Sequence, residues 1–524
     1  MITESEVEDD CLGLLRDLGY CVVNGPDISE GSPFEERKYN QVVLVGRLRD
    51  ALTRINKDIP NSAIDEAVKK VLRATSQNLV ADNQAFHDLL VNGVSVQFKR
   101  KDGTIKDELV WLIDFNESGD KNCFNNEFLA VNQFTIIEDR NNRRPDIILF
   151  VNGLPLVLME LKNPVDEKAT IWTAYEQLQT YKKEISSIFR YNEILVISDG
   201  LEARAGTVTS KKERFMPWKT IGTKKMPKSV SQIEVLIKGM LNKQTLLDII
   251  RHFIVYEADR DKDGNLKTSK KLAAYQQYNA ANKAIEATIK ATKSNKKAGI
   301  VWHTQGSGKS LTMVFYTGKM ATEPKLENPT IVMLTDRNDL DDQLFGTFSR
   351  CQELLRQKPQ QAETRDQLKE LLNVASGGII FTTIQKFFPE KGNKKYPTLS
   401  ERKNIIIIAD EAHRSQYGFG LKISKNADKP LLKYGYAKYL RDAIPNATFI
   451  GFTGTPIERA DRSTPAVFGK NIDIYDVQQS VEDGTTVKIY YESRLAKIEL
   501  KPEERPKIDP EFEEITEGEE IESK

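Results

Sequence analysis

The chain has 524 residues, and its 76 Lys and Arg balance 76 Asp and Glu, so the formal net charge is zero. With 39% hydrophobic and 29% charged residues it is neither a wholly disordered chain nor a collagen or mucin, and its length implies roughly two to four domains. Any polyanion-binding surface must therefore come from local charge asymmetry. No run of about eighteen apolar residues occurs, and MITESEVEDD lacks the basic-then-apolar order of a signal peptide. Cys11, Cys21, Cys123 and Cys351 fit neither a disulfide framework nor a zinc pattern, so a reducing, cytoplasmic setting is expected.

Along the chain, residues 6–18 place Val7, Cys11, Leu14, Leu15 and Leu18 at helical spacing, and 41–56 read as a second helix. From about 85 to 160 short β-rich runs follow: VSVQF, ELVWLIDF, FLAVNQFTII, PDIILFV and LPLVLMEL. A helix carrying Trp172, Tyr175, Leu178 and Tyr181 precedes the apolar strand EILVIS at 193–198. Residues 211–228 hold seven basic groups and one acid, a local charge of +6, which suits a solvated loop or a face toward DNA or nucleotide. The run SQIEVLIKGMLNKQTLLDIIRHFIVYE is helix-like, and the polar segment 258–271 reads as a linker.

Beyond it the rhythm becomes strand–loop–helix: GIVWH, TIVMLTD, GIIFTT, NIIIIAD and ATFIGFT. Such runs indicate a parallel sheet covered on both faces. Residues 499–524 hold eleven acids and four bases and read as a solvated tail or linker. The expected division is 1–245, a connecting helix and linker at 246–271, 272–490, and an acidic stretch at 491–524.

Two constellations carry chemistry. In IVWHTQGSGKSLT an apolar strand runs into Gln305, Gly306, Ser307, Gly308, Lys309 and Ser310 ahead of a helix. Glycines allow backbone N–H groups to close on phosphates, Lys309 would reach the β- and γ-phosphates, and Ser310 would ligate Mg²⁺. His303 stands where the strict phosphate-loop pattern has its first glycine. In NIIIIADEAHR, Asp410 ends a buried strand and could hold the Mg²⁺ water shell, Glu411 could orient the attacking water, and His413 could sense that state. Thr453, Gly454 and Thr455 end a third strand, and their hydroxyls could relay nucleotide state.

The second constellation lies in PDIILFVNGLPLVLMELK at 145–162, where two apolar strands flank Asn152-Gly153, a hairpin signal. Asp146 and Glu160 would hold a divalent metal for phosphodiester hydrolysis, with Lys162, two residues from Glu160 and on its face, stabilising charge. A two-residue loop pairs Val151 with Leu154 and projects Asp146 away from Glu160. A loop of three residues, or a bulge with the same effect, pairs Asp146 with Glu160, and the chemistry requires this second register. Gln177 and Tyr181 follow four apart on one helical face.

QGSGKS, DEAH and TGTP, in this order, resemble the first RecA-like motor domain of superfamily 2 helicases and translocases. The resemblance implies that TDRNDLDDQ (335–343) and TTIQKF (382–387) contact a DNA strand. It also implies that YQQYNA supplies the adenine-reading glutamine, Gln277 by register or Gln276 as the alternative. The hairpin with its trailing Gln177 and Tyr181 resembles the PD-(D/E)xK nuclease core, whose early helical acid would here be Glu4, Glu6 or Glu8. Together the two resemble the restriction (R, HsdR) subunit of type I restriction–modification enzymes. That implies an α/β chain using ATP and Mg²⁺ to translocate and cleave duplex DNA in assembly with methylation and specificity subunits. A second motor domain would be expected after residue 524. Lys211, Lys212 and Arg214 would touch ATP or DNA between the domains. A repair or antiviral helicase–nuclease without a methyltransferase, and a nucleotide-gated scaffold without chemistry, are the competing readings.

Overall fold

The computed structural model describes residues 3–99, 104–115, 125–163, 170–227, 229–260, 264–335, 338–387, 398–412, 422–423, 432–433, 436–455, 458–459, 462–463 and 467–488. His413, Cys123 and the acidic stretch from 491 lie outside them. No described helix is long and apolar enough to cross a membrane. The described cysteines Cys11, Cys21 and Cys351 are unpaired thiols.

The N-terminal region is built on a six-stranded mixed sheet in chain order: β1 (Cys21–Asn24), β2 (Phe128–Asn132), β3 (Ile147–Val151), β4 (Leu154–Leu161), β5 (Ile194–Ser198) and β6 (Ala203–Gly206). β1 runs parallel to β2, and β4 parallel to β5; the other neighbours are antiparallel. Every residue of β3, β4 and β5 is buried, which is why their sequences are continuous apolar runs rather than alternating ones. Four helices precede β3: α1 (Glu4–Asp17), α2 (Val45–Ile55), α3 (Asn61–Leu72) and α4 (Leu79–Asn92). The helix α5 (Ile171–Glu184) packs on β4 and β5 through a face that buries Ala174, Leu178 and Tyr181.

Two expectations for the middle of the chain are corrected. The helix-like run at 231–257 is α6 (Gln232–Gly239), α7 (Lys243–His252) and the start of a strand. The break has two local causes. A Cβ at Gly239 would lie 2.1 Å from the Thr220 carbonyl, so another chain segment crosses there, and the Asn242 side chain caps α7 by accepting the Gln244 N–H. The supposed linker at 258–271 is a hairpin in which β7 (Ile254–Arg260) pairs antiparallel with β8 (Leu266–Leu272).

That hairpin is anchored from inside. Lys270 is 1% exposed, and its Nζ lies 2.6 Å from Glu193 Oε2, 2.9 Å from the Asn192 carbonyl and 3.1 Å from Asn83 Oδ1. His87 Nδ1 meets the same Glu193 oxygen at 2.9 Å. A buried ammonium needs such a set of partners, and each partner comes from the N-terminal region. Across the hairpin, Glu257 pairs with Lys271 and, at 3.0 Å, with Arg350 of α10 (Asn338–Arg350) in the following region. One apolar cluster continues through this joint, where Phe253 packs against Tyr278 and Phe315.

The C-terminal region is a seven-stranded parallel sheet. Its strands are β9 (Lys297–His303), β10 (Thr330–Thr335), β11 (Gln360–Gln361), β12 (Ile379–Thr383), β13 (Ile405–Ala409), β14 (Thr448–Thr453) and β15 (Asn471–Tyr475), ordered β11-β12-β10-β13-β14-β9-β15. α8 (Tyr275–Thr292) precedes β9, and α9 (Lys309–Thr322) follows it. The five apolar runs of the sequence are five of these strands. The edge strands β11 and β15 are additions.

Candidate active sites

The β3–β4 hairpin turns on Asn152 (φ 52°) and Gly153 (φ 78°), with Val151 opposite Leu154 as a two-residue loop demands. Further along, Phe150 pairs with Pro155 but Leu149 pairs with Val157, so Leu156 is an extra residue. This bulge moves the remaining pairs by one, Ile147 faces Met159, and Asp146 comes to lie across from Glu160. Of the two registers the sequence offered, the chain has the turn of the first and, through the bulge, the alignment of the second.

The site is then assembled from three directions. Leu161 donates its N–H to Asp146 Oδ2 at 2.6 Å, which fixes that carboxylate at the end of β4. Glu160 is 1% exposed; its Oε1 lies 2.9 Å from Lys162 Nζ, while its buried Oε2 has no hydrogen-bond partner. Lys162 Nζ also donates to the Leu161 carbonyl at 2.7 Å and to Glu4 Oε1 at 3.0 Å. On α5, Gln177 Nε2 donates to the Tyr181 hydroxyl at 3.1 Å. Burial first, then the charge of Glu160, raises the Tyr181 hydroxyl, so that ring lies beside the carboxylates.

The three N-terminal acids separate cleanly. Glu6 is spent in the capping box of α1 with Thr3. Glu8 is buried and takes the side-chain amides of Asn132 and Gln133, each at 2.7 Å. Glu4 is the acid that reaches the site lysine.

Burial is the main cause that pushes the Asp146 carboxyl up to about 6, opposed by the Leu161 N–H and by Lys162. Burial and then the charge of Asp146 push Glu160 up to about 8. Lys162, between the two acids, is raised above its ordinary value against its own desolvation. A buried carboxylate with an unpartnered oxygen and a half-buried one, each disfavouring the other's charge, form a donor set that fits a divalent cation. Among the described residues no group of three or more His, Cys, Asp or Glu is placed to hold a metal ion.

The second site lies at the carboxyl ends of the parallel strands, where open α/β sheets bind ligands. Gly306 and Gly308 take φ of 83° and 86°, which close the turn after β9. Gly308 is the N-cap of α9 and offers no side chain, so the first-turn N–H groups remain available to an anion. Ser307 is buried with its hydroxyl on the Thr304 carbonyl, whereas Gln305 is exposed and Ser310 half-buried. Lys309 Nζ lies 3.5 Å from the Thr304 carbonyl. Gly454 lies beside that ammonium, which is 3.4 Å from where its Cβ would stand.

Asp410 follows β13, and burial, then Glu411, raise its carboxyl to about 6; Lys309 is near enough to oppose the shift. Glu411 has φ 46°, a strained conformation for a non-glycine residue, and its N–H caps Asp410 Oδ1 at 2.9 Å. Ala412 donates its N–H to the Phe452 carbonyl, which ties the acidic turn to β14. Thr453 accepts the Thr455 N–H at its hydroxyl, and Gly454 accepts Trp302 Nε1. Gln277 is buried and donates to the Gly308 carbonyl at 3.1 Å, while Gln276, also buried, has no comparable link to the loop.

The basic segment is solvent-facing, one of the two readings its charge allowed. Lys211, Lys212 and Arg214 are exposed, and Lys212 pairs at 2.7 Å with Glu176 of α5 in its own domain. Lys219, further along, bridges to the motor region, with its Nζ 2.5 Å from Asp483 Oδ1. Asp483 also receives the Tyr275 hydroxyl at 2.5 Å and the Tyr475 hydroxyl at 2.9 Å. Sequence reasoning missed this junction because its acid comes from a segment without any motif.

A mixed α/β domain with a paired-carboxylate cluster, followed by a parallel-sheet phosphate-loop domain, defines a chain carrying a superfamily 2 motor domain. Residues 1–214 match the family model described as type I restriction enzyme R protein N terminus, and 276–524 match that of the SWI2/SNF2 ATPase. The HindI type I restriction enzyme endonuclease subunit of Haemophilus influenzae is 47% identical over 94% of this chain and 46% of its own length. A Methanocaldococcus jannaschii chain named for the type I enzyme MjaIXP is 35% identical over 98% of this chain and 48% of its own. The N-terminal part of the chain is thus similar to type I restriction enzyme R proteins, and its C-terminal part to SWI2/SNF2 ATPases. The chain spans about half the length of the curated relatives it matches.

Proposed function

We propose that this chain carries the nuclease and first motor units of a type I restriction subunit, which cleaves unmodified duplex DNA under ATP-driven translocation. The observation that carries this reading is the bulge at Leu156, which shifts the pairing so that Asp146 falls in line with Glu160 and takes the Leu161 N–H, with Lys162 on Glu160, although the turn alone would part the two acids. A bulge inside a fully buried hairpin costs a ladder hydrogen bond, and a site that needs two carboxylates together accounts for it.

The N-terminal domain is read as a PD-(D/E)xK nuclease, about residues 1–245, and the motor as 272–490, joined by the structured hairpin β7–β8, with 491–524 as an acidic linker. Asp146 and Glu160 are the residues that would hold Mg²⁺, which when bound polarises the scissile phosphate and acidifies water. Lys162, held between Glu160 and Glu4, presents its ammonium to the negative charge that develops on phosphate. Tyr181 and Gln177 form a neutral, hydrogen-bonded wall that orients the carboxylate side of the site. In the motor, the amides of Gly306 to Ser310 and Lys309 hold the phosphates of ATP, with Gln305 at the loop's exposed edge. Ser310 and Asp410 would hold its Mg²⁺, Glu411 orients water, and Gln277 positions the loop on the adenine side. Thr453, Gly454 and Thr455 couple this turn to the sheet, with His413 after it. Duplex DNA and the methylation and specificity subunits are the proposed partners. Exposed Lys211, Lys212 and Arg214 are proposed to face DNA.

The test uses the full-length subunit assembled with methylation and specificity subunits on unmodified plasmid. Glu160→Ala should abolish cleavage with DNA-stimulated ATP hydrolysis retained, and Lys309→Ala should abolish both. Cleavage at the wild-type rate by Glu160→Ala would end the nuclease reading. Failure to co-purify with a methyltransferase would favour a stand-alone helicase–nuclease.

A further inference from the structure

His303 replaces the first glycine of the phosphate-loop pattern, and nothing in the nucleotide chemistry above uses it. Its side chain is completely buried, and its Nε2 lies 2.8 Å from Asp473 Oδ2. Asp473 belongs to the edge strand β15 and pairs with Val301, two residues before His303, so both side chains share one face of the sheet. The other carboxylate oxygen of Asp473 takes Lys283 Nζ at 2.7 Å, and Lys283 comes from α8. α8 also carries Gln277, whose amide donates to the Gly308 carbonyl. The adenine-side helix is thus fixed to the phosphate loop at both ends of the loop: through Gln277 at Gly308, and through Lys283 and Asp473 at His303.

Facing a carboxylate, Nε2 is the ring nitrogen that carries a proton. Nδ1 is buried without a partner, and an unmet acceptor nitrogen costs less there than an unmet N–H donor. A glycine at 303 would leave a cavity beside Asp473 and would release this end of the loop from α8, with only the Gln277 link remaining. Next to His303, Thr304 donates its N–H to the Tyr475 carbonyl, so the backbone of β15 supports the same corner.

We infer that His303 and Asp473 are positioning residues that lock the phosphate loop in register with α8 and thereby set the affinity for ATP. The inference rests on the nucleotide reading of the loop and adds to it the way the two halves of the nucleotide site are aligned. Neither residue touches the reacting atoms; their effect is on binding, and a Gln at 303, whose Nε2 can stand where the imidazole Nε2 does, replaces the histidine.

The experiment measures DNA-stimulated ATP hydrolysis and direct ATP binding by the full-length subunit in its complex. His303→Ala should raise KM and Kd for ATP about tenfold, the scale of a lost charge-assisted hydrogen bond, with kcat changed far less. His303→Gln should restore most of the affinity. Asp473→Ala should match His303→Ala, and the double variant should be no worse than either single one. Should the buried substitutions fail to fold, Lys283→Met, at a partly exposed lysine, carries the test, and an unchanged KM there overturns the inference. Additive losses, or a folded His303→Ala with wild-type KM, overturn it as well. Absence of ATP binding by the wild-type complex would instead remove the nucleotide reading itself.

Discussion

The ammonium of Lys162 stands 2.9 Å from Glu160 and 3.0 Å from Glu4, so one side chain joins the buried strand β4 to the first turn of α1. Glu160 is sealed in the sheet while Glu4 is 47% exposed at its side chain. The two contacts therefore differ in worth: the pair with Glu160 is desolvated, and the pair with Glu4 is screened by solvent. Glu4→Gln should lower cleavage by about tenfold or less through loss of lysine placement, with thermal stability unchanged. Glu160→Gln should remove cleavage altogether while leaving the protein as stable as wild type or more so, because a buried charge is replaced by a neutral isostere. Plasmid cleavage and calorimetry on both variants check the pair of outcomes, and equal defects would refute the ranking.

Gly153 holds the hairpin turn at φ 78°, and a Cβ there would lie 2.5 Å from the Leu44 carbonyl and 2.9 Å from the Leu48 nitrogen. Gly153→Ala combines left-handed strain with a clash against backbone at the start of α2. We expect a loss of roughly 2–4 kcal/mol in urea unfolding, with cleavage impaired in proportion to the folded fraction. A loss below about 0.5 kcal/mol would show that α2 retreats from the turn.

The hairpin β7–β8 gives a sharper stability test. Lys270→Met strips the buried Glu193 of its ammonium partner and should destabilise by about 3–5 kcal/mol, whereas Lys270→Met with Glu193→Leu should recover much of that loss. Urea unfolding of the two variants reports the difference. A double variant no better than the single one would locate the energy in packing instead.

Asp88 lines a cavity between α4 and the motor together with His87, Arg251, His252, Glu353 and Arg356. Burial, then the like charge of Glu353, raises its carboxyl from 3.8 to about 6, with His87 opposing. A raised folded-state value means that the fold favours the protonated acid. That stabilisation is present below pH 3.8 and is lost as pH rises through about 6. At pH 7.5 Asp88→Asn should therefore be more stable than wild type by about 1 kcal/mol, discounted for partial exposure, and the advantage should shrink toward pH 5. Equal gains at both pH values in urea titrations would contradict the assignment.

Lys211, Lys212 and Arg214 stand clear of the motor contact made by Lys219. Replacing all three with alanine should weaken DNA binding and flatten its salt dependence by up to about three counterions, with ATP affinity in the absence of DNA unchanged. A filter-binding salt series alongside nucleotide binding separates the two. A lost ATP affinity would move these residues to the nucleotide.

The motor strands were legible because strands buried on both faces become unbroken apolar runs, and Asn152-Gly153 was legible because few residue pairs tolerate that turn. What escaped detection was set by distant partners. A bulge was one of the two ways to the required register, but nothing in the residue types placed it at Leu156. Lys270 looks like a linker lysine until Glu193, 77 residues earlier, is placed beside it. His303 read as a missing glycine, since its partner Asp473 lies 170 residues away on an edge strand too short and too exposed to announce itself. Glu4, Glu6 and Glu8 share one helix and one chemistry; the capping box sets Glu6 apart locally, and only the partners on β2 and after β4 tell Glu8 from Glu4.

The interior anchoring of β8 has a practical corollary for anyone dissecting this polypeptide. A cut within 258–271, which hydrophilicity invites, would sever an element whose ammonium is interred in the neighbouring domain, leaving each fragment with an orphaned charge at its heart. The hairpin therefore belongs to both regions at once, through Lys270 on one side and Glu257 with Arg350 on the other.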